Sequence, residues 1–227
     1  MSKRNLEDFP LESENKKFKL KAFPVGKVHI GSMILRGPHA SIPSGFKRVN
    51  VTSAQRKNNP HRLAFSPMTP REKRYKGYWN FEAYWQSGKV YPGIDRIKQL
   101  LWWKKVGHNG KPKRRYPNSK NKKVEYSQWN GGKKMNYIES RKEVYVPEYY
   151  NLIKDEKALE SLKNYHKRGG NIIIYDFDGP FDGKVPIIEK VNKELLIKKI
   201  NDPSRSFGHG YVVAGAILGI EPSKYTM

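Results

Sequence analysis

The chain has 227 residues, which fits one large domain or one domain with an appended arm. Lysine and arginine total 45 against 21 acids, a net charge of +24, and a field of that sign favours nucleic acid, nucleotides or an anionic surface as partner. There is no cysteine, which excludes disulfides, thiolate metal sites and a cysteine nucleophile, and which suits an intracellular chain.

Residues 1–24 are polar, basic and without periodicity, and predict a flexible N-terminal arm with no apolar signal core. "GKVHIGSMILRG" and "FKRVNV" predict strands, and "AFSPMTPREKRYKG" a proline-punctuated connection. "NFEAYWQSGKV" predicts a helix with Asn80 as N-cap and Pro92-Gly93 as stop, and "DRIKQLLWWKKVG" a second helix. "KKVEYSQWNGGKKMNYIESRKEVYVPEYY" predicts strands with a turn at Asn130-Gly131-Gly132. "KDEKALESLKNYHKRGG" is the clearest helix, with acids first, bases last and Gly169 just past its end.

"NIIIYDFDGP" then predicts a buried strand entering an acidic loop. "VPIIEKVNKELLIKKIND" predicts an amphipathic helix with Pro186 in its first turn. "SFGHGYVVAGAILGI" closes the chain as a glycine loop and a small-residue helix. The sum is α+β: one compact domain over 25–227 with several helices, a small sheet and a basic insertion around 104–123. No apolar run approaches the ~18 residues of a membrane span. An intracellular location is expected, in cytoplasm or nucleus. The lysine and asparagine richness equally suits a viral factory or a virion.

Arg96 to Lys142 carries fifteen lysines and arginines and two acids, with six aromatics interleaved. Cations there would meet phosphates while aromatic faces stack on bases. Lys104, Lys105, Lys113, Arg114, Arg115, Lys122 and Lys123 are the candidate phosphate contacts. Asp176 and Asp178 end an apolar strand, where ligands of α/β sheets bind, and are candidate substrate contacts; a capped polar turn is the alternative. "IIIYDFDGP" resembles the first motif of the haloacid-dehalogenase phosphatases. Too little chain follows it, however, to supply that family's further strands and magnesium carboxylates.

In "NFEAYWQSGKV", Glu82, Gln86 and Lys89 fall on one stripe of a helix, flanked by Phe81 and Trp85. The stripe faces either solvent or a pocket, and periodicity alone favours solvent. The Glu-x-x-x-Gln-x-x-Lys spacing with aromatics between resembles the central motif of the NADAR superfamily of YbiA-like proteins. "FSPM" at 65–68 resembles the family's Leu-Ser-Asn-Phe segment, and "DPSRSFGHGYVVAGAILGI" is similar to its closing stretch. Ala83 departs from the family's usual histidine after the glutamate, and the basic middle is longer than the family's core.

That resemblance implies N-glycosidase chemistry on an ADP-ribose-like or nucleotide-like ligand, without cofactor or metal. Glu82 would stabilise the ribosyl centre or activate water, and Lys89 would attack an opened sugar or hold a phosphate. Gln86 would fix a hydroxyl, and Trp85 would stack on the base. His209 would protonate the leaving base, while Gly208 and Gly210 offer backbone N–H groups to a pyrophosphate. The alternative is a non-enzymatic basic protein that binds nucleic acid or packs in a particle, with the Glu82 helix as scaffold. The first reading requires Glu82, Lys89 and the Gly208–Gly210 loop to meet at one concave site. The second requires a continuous positive surface and a stripe that is solvated or packed away.

Overall fold

The computed structural model describes residues 24–36, 43–71, 75–107 and 113–227. The arm expected over 1–24 lies outside them except for its last residue. The chain is α+β, as its sequence pattern requires. Its centre is a four-stranded sheet in the order β2-β5-β1-β8, from β1 (Val28–Ser32), β2 (Phe46–Asn50), β5 (Asn171–Asp176) and β8 (Ile188–Lys190). β1 and β2 both run parallel to β5, with Ser32 opposite Asp176 and Asn50 opposite Tyr175. β8 runs antiparallel on the far side of β1. Residues 172–176 of β5 are all buried, as expected of a parallel strand covered on both faces.

Helix α8 (His209–Ile217) packs on β1 and β5, and all nine of its residues are buried. A helix apolar on every side is a core helix. Gly210, Ala214, Gly215 and Ala216 let its neighbours approach closely, among them α5 (Val146–Ile153) and α6 (Lys157–Lys167). The helix α6 ends as its sequence predicts, with Gly169 at φ 88°.

Around this core stand α1 (Pro60–Phe65), α2 (Phe81–Ser87) and α3 (Arg96–Lys105), with a two-strand ribbon of β3 (Lys89–Val90) and β4 (Tyr126–Ser127). A second ribbon pairs β6 (Phe181–Asp182) with β7 (Val185–Pro186). The turn at 130–132 forms as expected, with Asn130 at φ 51° and Gly131 at φ 70°.

Three boundaries differ from the expectation, each for a local reason. The α2 helix stops at Ser87, so Lys89 lies on β3 opposite Ser127 rather than on the helix. A Cβ on Gly88 would lie 2.0 Å from the Trp129 ring; the indole seated there accompanies the chain's change of direction. Residues 137–153 are one helical run and not strands: α4 (Tyr137–Ser140), a π-helical turn (Arg141–Tyr145), then α5. Asn136 and Glu139 form a reciprocal capping box at its start. Pro147 has no N–H to give the preceding turn, a local cause for the wider hydrogen-bonding of the π segment. Finally, helix α7 (Lys193–Asn201) begins eight residues later than the sequence suggests. The Asn192 side chain caps it, while β-branched Ile188 and its neighbours extend the sheet.

Candidate active site

The parallel strands deliver their carboxyl ends to one side of the sheet, and three adjoining cavities open there. The smallest, about 160 Å³, is lined by Glu82, Trp85, Gln86, Lys89, Arg141 and Tyr145, among others. A second, about 200 Å³, shares Glu82, Tyr145 and Asp178 with it and adds Ser66, Arg114, Asp176 and His209. The largest, about 430 Å³, lies on the far side of Asp178 and runs along the loop 177–181 to Arg205. Asp178 borders all three.

Helix α2 supplies the first wall. Of its seven residues Glu82 and Gln86 alone escape burial, so the polar stripe faces the cavity while Phe81, Tyr84 and Trp85 pack inward. Asn80 caps the helix by accepting from the Ala83 N–H at 2.8 Å, a contact worth about 1 kcal/mol. The same side chain donates to the Met68 carbonyl, and the Glu82 N–H donates to Pro67. Residues 66–68 are thereby fixed beside Glu82. Gln86 donates to Glu82 Oε1 at 2.9 Å, which orients the carboxylate.

Lys89 enters the same cavity from β3, its ammonium 5.5 Å from the Trp85 ring centroid. Burial pushes its pKa below the ordinary lysine value, with Arg115 adding to the effect and Glu82 and Asp178 opposing it. Trp85 has one face committed: it stacks on Trp129 at 5.3 Å.

Asp176 and Asp178 leave β5 in different states. Asp176 is buried, and its Oδ2 accepts from the Gly210 N–H at 2.7 Å at the start of α8. A carboxylate is favourable at that end of a helix. Gly208 and Gly210 therefore do not line the cavities: the protein's own Asp176 occupies the anion site expected for a ligand. Added Cβ atoms there would fall 2.4 Å and 3.0 Å from Asp176 Oδ2, so glycine is required by close approach. His209 Nδ1 lies 3.2 Å from Asp176, and Nε2 lies 3.0 Å from the Val51 carbonyl. Both ring nitrogens are thus engaged, and the imidazole forms a wall that braces Asp176.

Asp178 opens onto the cavities. Partial desolvation, then the charge of Asp176, raises its pKa, with Glu82 adding to the effect and His209 and Ser206 opposing it.

Two residues unmarked by the sequence reading complete the site. Tyr145, on the π-helical turn, stands between the two smaller cavities, and burial and Asp176 hold its phenol protonated. Arg141, one turn earlier, is fully buried and stacks 3.9 Å over Tyr137. It donates to the Asp202 carbonyl at 2.8 Å and to that of Arg205, clamping the loop that carries Ser206 and Phe207. The Asn136–Glu139 capping-box spacing followed by Pro147 is the sequence signal that could have marked this turn.

Of the basic candidates, Arg114 reaches the cavities, donating to Ser53 Oγ at 3.1 Å. Arg115 acts on Lys89 by its charge. Lys122 is tied to the Pro92 carbonyl at 2.8 Å. Lys104, Lys105, Lys113 and Lys123 are exposed and line none of the three cavities described. Trp103 and Trp129 of the same stretch are core residues, so the interleaved aromatics do not form an open row. Among the described residues no three His, Asp or Glu side chains are placed to share a metal ion, and no helix is long and apolar enough to cross a membrane.

Segments 65–68, 82–89 and 202–210, far apart in sequence, thus gather round one set of cavities. No family model, no curated protein and no solved structure matches the chain.

Proposed function

We propose that the chain is an N-glycosidase-like hydrolase, a divergent relative of the NADAR superfamily, which cleaves the C–N bond of an ADP-ribosylated or nucleotide-like substrate. One observation carries the reading. Glu82, Lys89 and Asp178 converge on one recess, where burial moves the amine and the second carboxyl in opposite directions, Lys89 down and Asp178 up. An amine that gives up its proton more readily beside an acid that keeps its own more readily suits glycosylamine cleavage.

In this mechanism Asp178 protonates the ring oxygen of the ribosyl group. The C1′–O4′ bond breaks as the lone pair of the base nitrogen forms a C1′=N bond. The Lys89 amine adds to C1′, and its proton passes to the base nitrogen. The base leaves with the electrons of its C–N bond, and a lysine imine remains. Water, deprotonated by Glu82, adds to that imine and frees Lys89, and the resulting aldehyde closes to ribose. Gln86 holds Glu82 in place through its hydrogen bond. Arg114 and Arg115 supply positive potential for the phosphates of the ligand.

The test is incubation with ADP-ribosylated DNA, RNA and nucleotides, with and without borohydride, read by mass spectrometry beside Glu82→Gln and Lys89→Ala. Release of ADP-ribose by the wild type, loss in both variants and a reduced adduct on Lys89 are expected. Absence of release from every substrate, by a folded wild-type protein, refutes the enzyme.

A further inference from the structure

The reaction proposed above is confined to the two smaller cavities; the largest, about 430 Å³, has no part in it. Its lining has a distinct chemistry. Phe177 stands at its inner end, between Asp176 and Asp178, and is 47% exposed, whereas most aromatics around the site are buried. The Arg114 guanidinium lies over this ring at 5.4 Å. At the other end Arg205 lies over Phe181 at 5.5 Å and donates to the Gly183 carbonyl. Neither arginine makes an ion pair among the described residues.

Besides Asp178, which the adjoining cavities share, the recess is lined by one carboxylate and one amine, and both are already satisfied. Asp202 accepts from the Ser204 N–H at 2.9 Å and from its hydroxyl at 2.6 Å, and Lys199 pairs with Glu189 at 2.8 Å. Among the described residues two guanidinium groups therefore stand without an ion-pair partner, Arg205 on the recess itself and Arg114 on the adjoining cavity that shares Phe177 with it.

Both walls are fixed in advance. An added Cβ on Gly179 would lie 2.5 Å from the Gly31 carbonyl, so the loop behind Phe177 sits directly on β1. The opposite wall, residues 202–206, is held by Arg141. A half-exposed aromatic ring with one guanidinium over it and another farther along the recess, neither ion-paired among the described residues, suits a planar ring flanked by phosphates. Stacking of a base on an aromatic side chain and guanidinium–phosphate contacts are the two components of single-strand recognition. A base inside a duplex presents no free face to Phe177.

We propose that the largest cavity is a seat for an unpaired nucleobase of single-stranded nucleic acid, which stacks on Phe177 while Arg114 and Arg205 meet the phosphates on either side. Since Asp178 borders this seat and both reactive cavities, a strand held here lies against the proposed reaction centre. The seat does not depend on catalysis.

The probe is a fluorescein-labelled single-stranded DNA oligonucleotide carrying an internal 2-aminopurine, compared with its duplex and with a free mononucleotide. Anisotropy and 2-aminopurine quenching are read for the wild type, Phe177→Ala, Phe177→Trp, Arg205→Ala and Glu82→Gln, with thermal unfolding as the control for folding. The wild type binds the single strand at least about tenfold more tightly than the duplex or the mononucleotide. Phe177→Ala loses about tenfold in affinity and the quenching with it, within the range of base stacking. Phe177→Trp restores both, Arg205→Ala weakens binding and flattens its salt dependence, and Glu82→Gln binds as wild type. Equal affinity of the wild type and a folded Phe177→Ala overturns the seat, as does equal affinity for single strand and duplex. Binding with this pattern and no release of ADP-ribose leaves the seat standing and removes the glycosidase.

Discussion

Arg141 offers the sharpest test of how the site is held. It is fully buried on a π-helical turn and makes two firm hydrogen bonds, to the carbonyls of Asp202 and Arg205. A third contact, to Ile200 at 3.4 Å, is weak. Hydrogen bonds from a charged donor contribute about 1.5–3 kcal/mol each, so Arg141→Met, which keeps much of the volume, is expected to cost about 3–6 kcal/mol. Arg141→Lys recovers at most one of the two bonds, because an ammonium lacks the planar fork that spans both. Urea unfolding gives the stability, and amide exchange at 202–206 gives the local effect. Those amides should exchange faster than the rest of the chain in Arg141→Met. A loss below about 1 kcal/mol, or unchanged exchange in that loop, would show that the clamp is not what fixes the wall.

Three further outcomes follow from the same geometry. Asp178→Asn should raise the thermal midpoint at pH 7 while abolishing ADP-ribose release. The folded state raises this carboxyl's pKa above its ordinary 3.8, so ionisation opposes folding at higher pH, and the stabilisation should vanish near pH 3.8, where the unfolded chain also protonates; calorimetry across pH measures it. The rate should follow a bell whose limbs lie inside the interval 3.8 to 10.5, since Asp178 is raised above the lower value and Lys89 lowered below the upper. A plateau reaching to either end in a stopped-time assay would contradict that. Gly208→Ala should cost about 1–3 kcal/mol by overpacking against Asp176, and should reduce turnover by more than its stability loss explains, because both carboxylates shift. Unfolding and turnover measured on one preparation separate the two effects.

What was legible in the sequence was whatever a local period or cap decides. The α6 helix, with acids first and Gly169 last, and the apolar run 172–175 fix their own forms. So does the 82/86 spacing, although the sequence could not say that this stripe faces a cavity. That depends on the other sides of α2 being covered, by α3 and by Trp129, Tyr145 and Tyr149 among others, which come from distant segments. Residues 137–150 look like strands in the sequence because Val144, Tyr145, Val146 and Tyr149 favour strands by composition. The capping box at Asn136 and Glu139 and packing against α8 outweighed that preference. The closing glycines had a clear pattern with two physical uses, ligand N–H groups or close packing. The deciding fact, a carboxylate from residue 176 arriving at residue 210, is a long-range contact with no local trace. Phe177 was invisible for the same reason, since a ring between two acids reads as part of an apolar strand until the strand is seen to end at 176.

The two carboxylates of "YDFDG" divide their work because of what meets each one. Asp176 meets the Gly210 N–H at the start of α8 and the braced ring of His209, so its side chain is held in place by backbone that reaches through the core. Two residues later the chain has turned, Gly179 is lodged against Gly31, and Asp178 faces the cavities with Asp176 behind it. A carboxyl that is partly desolvated and has a second carboxylate beside it retains its proton more readily. The folded core thus helps to make Asp178 an acid, and the same loss of water helps to make Lys89 a base. Neither shift stabilises the fold, since each opposes the charged form of its group. The buried α8 helix and β5 strand carry the apolar core, and Asp178 follows directly on the end of β5, while Lys89 reaches the same cavity from the β3 ribbon.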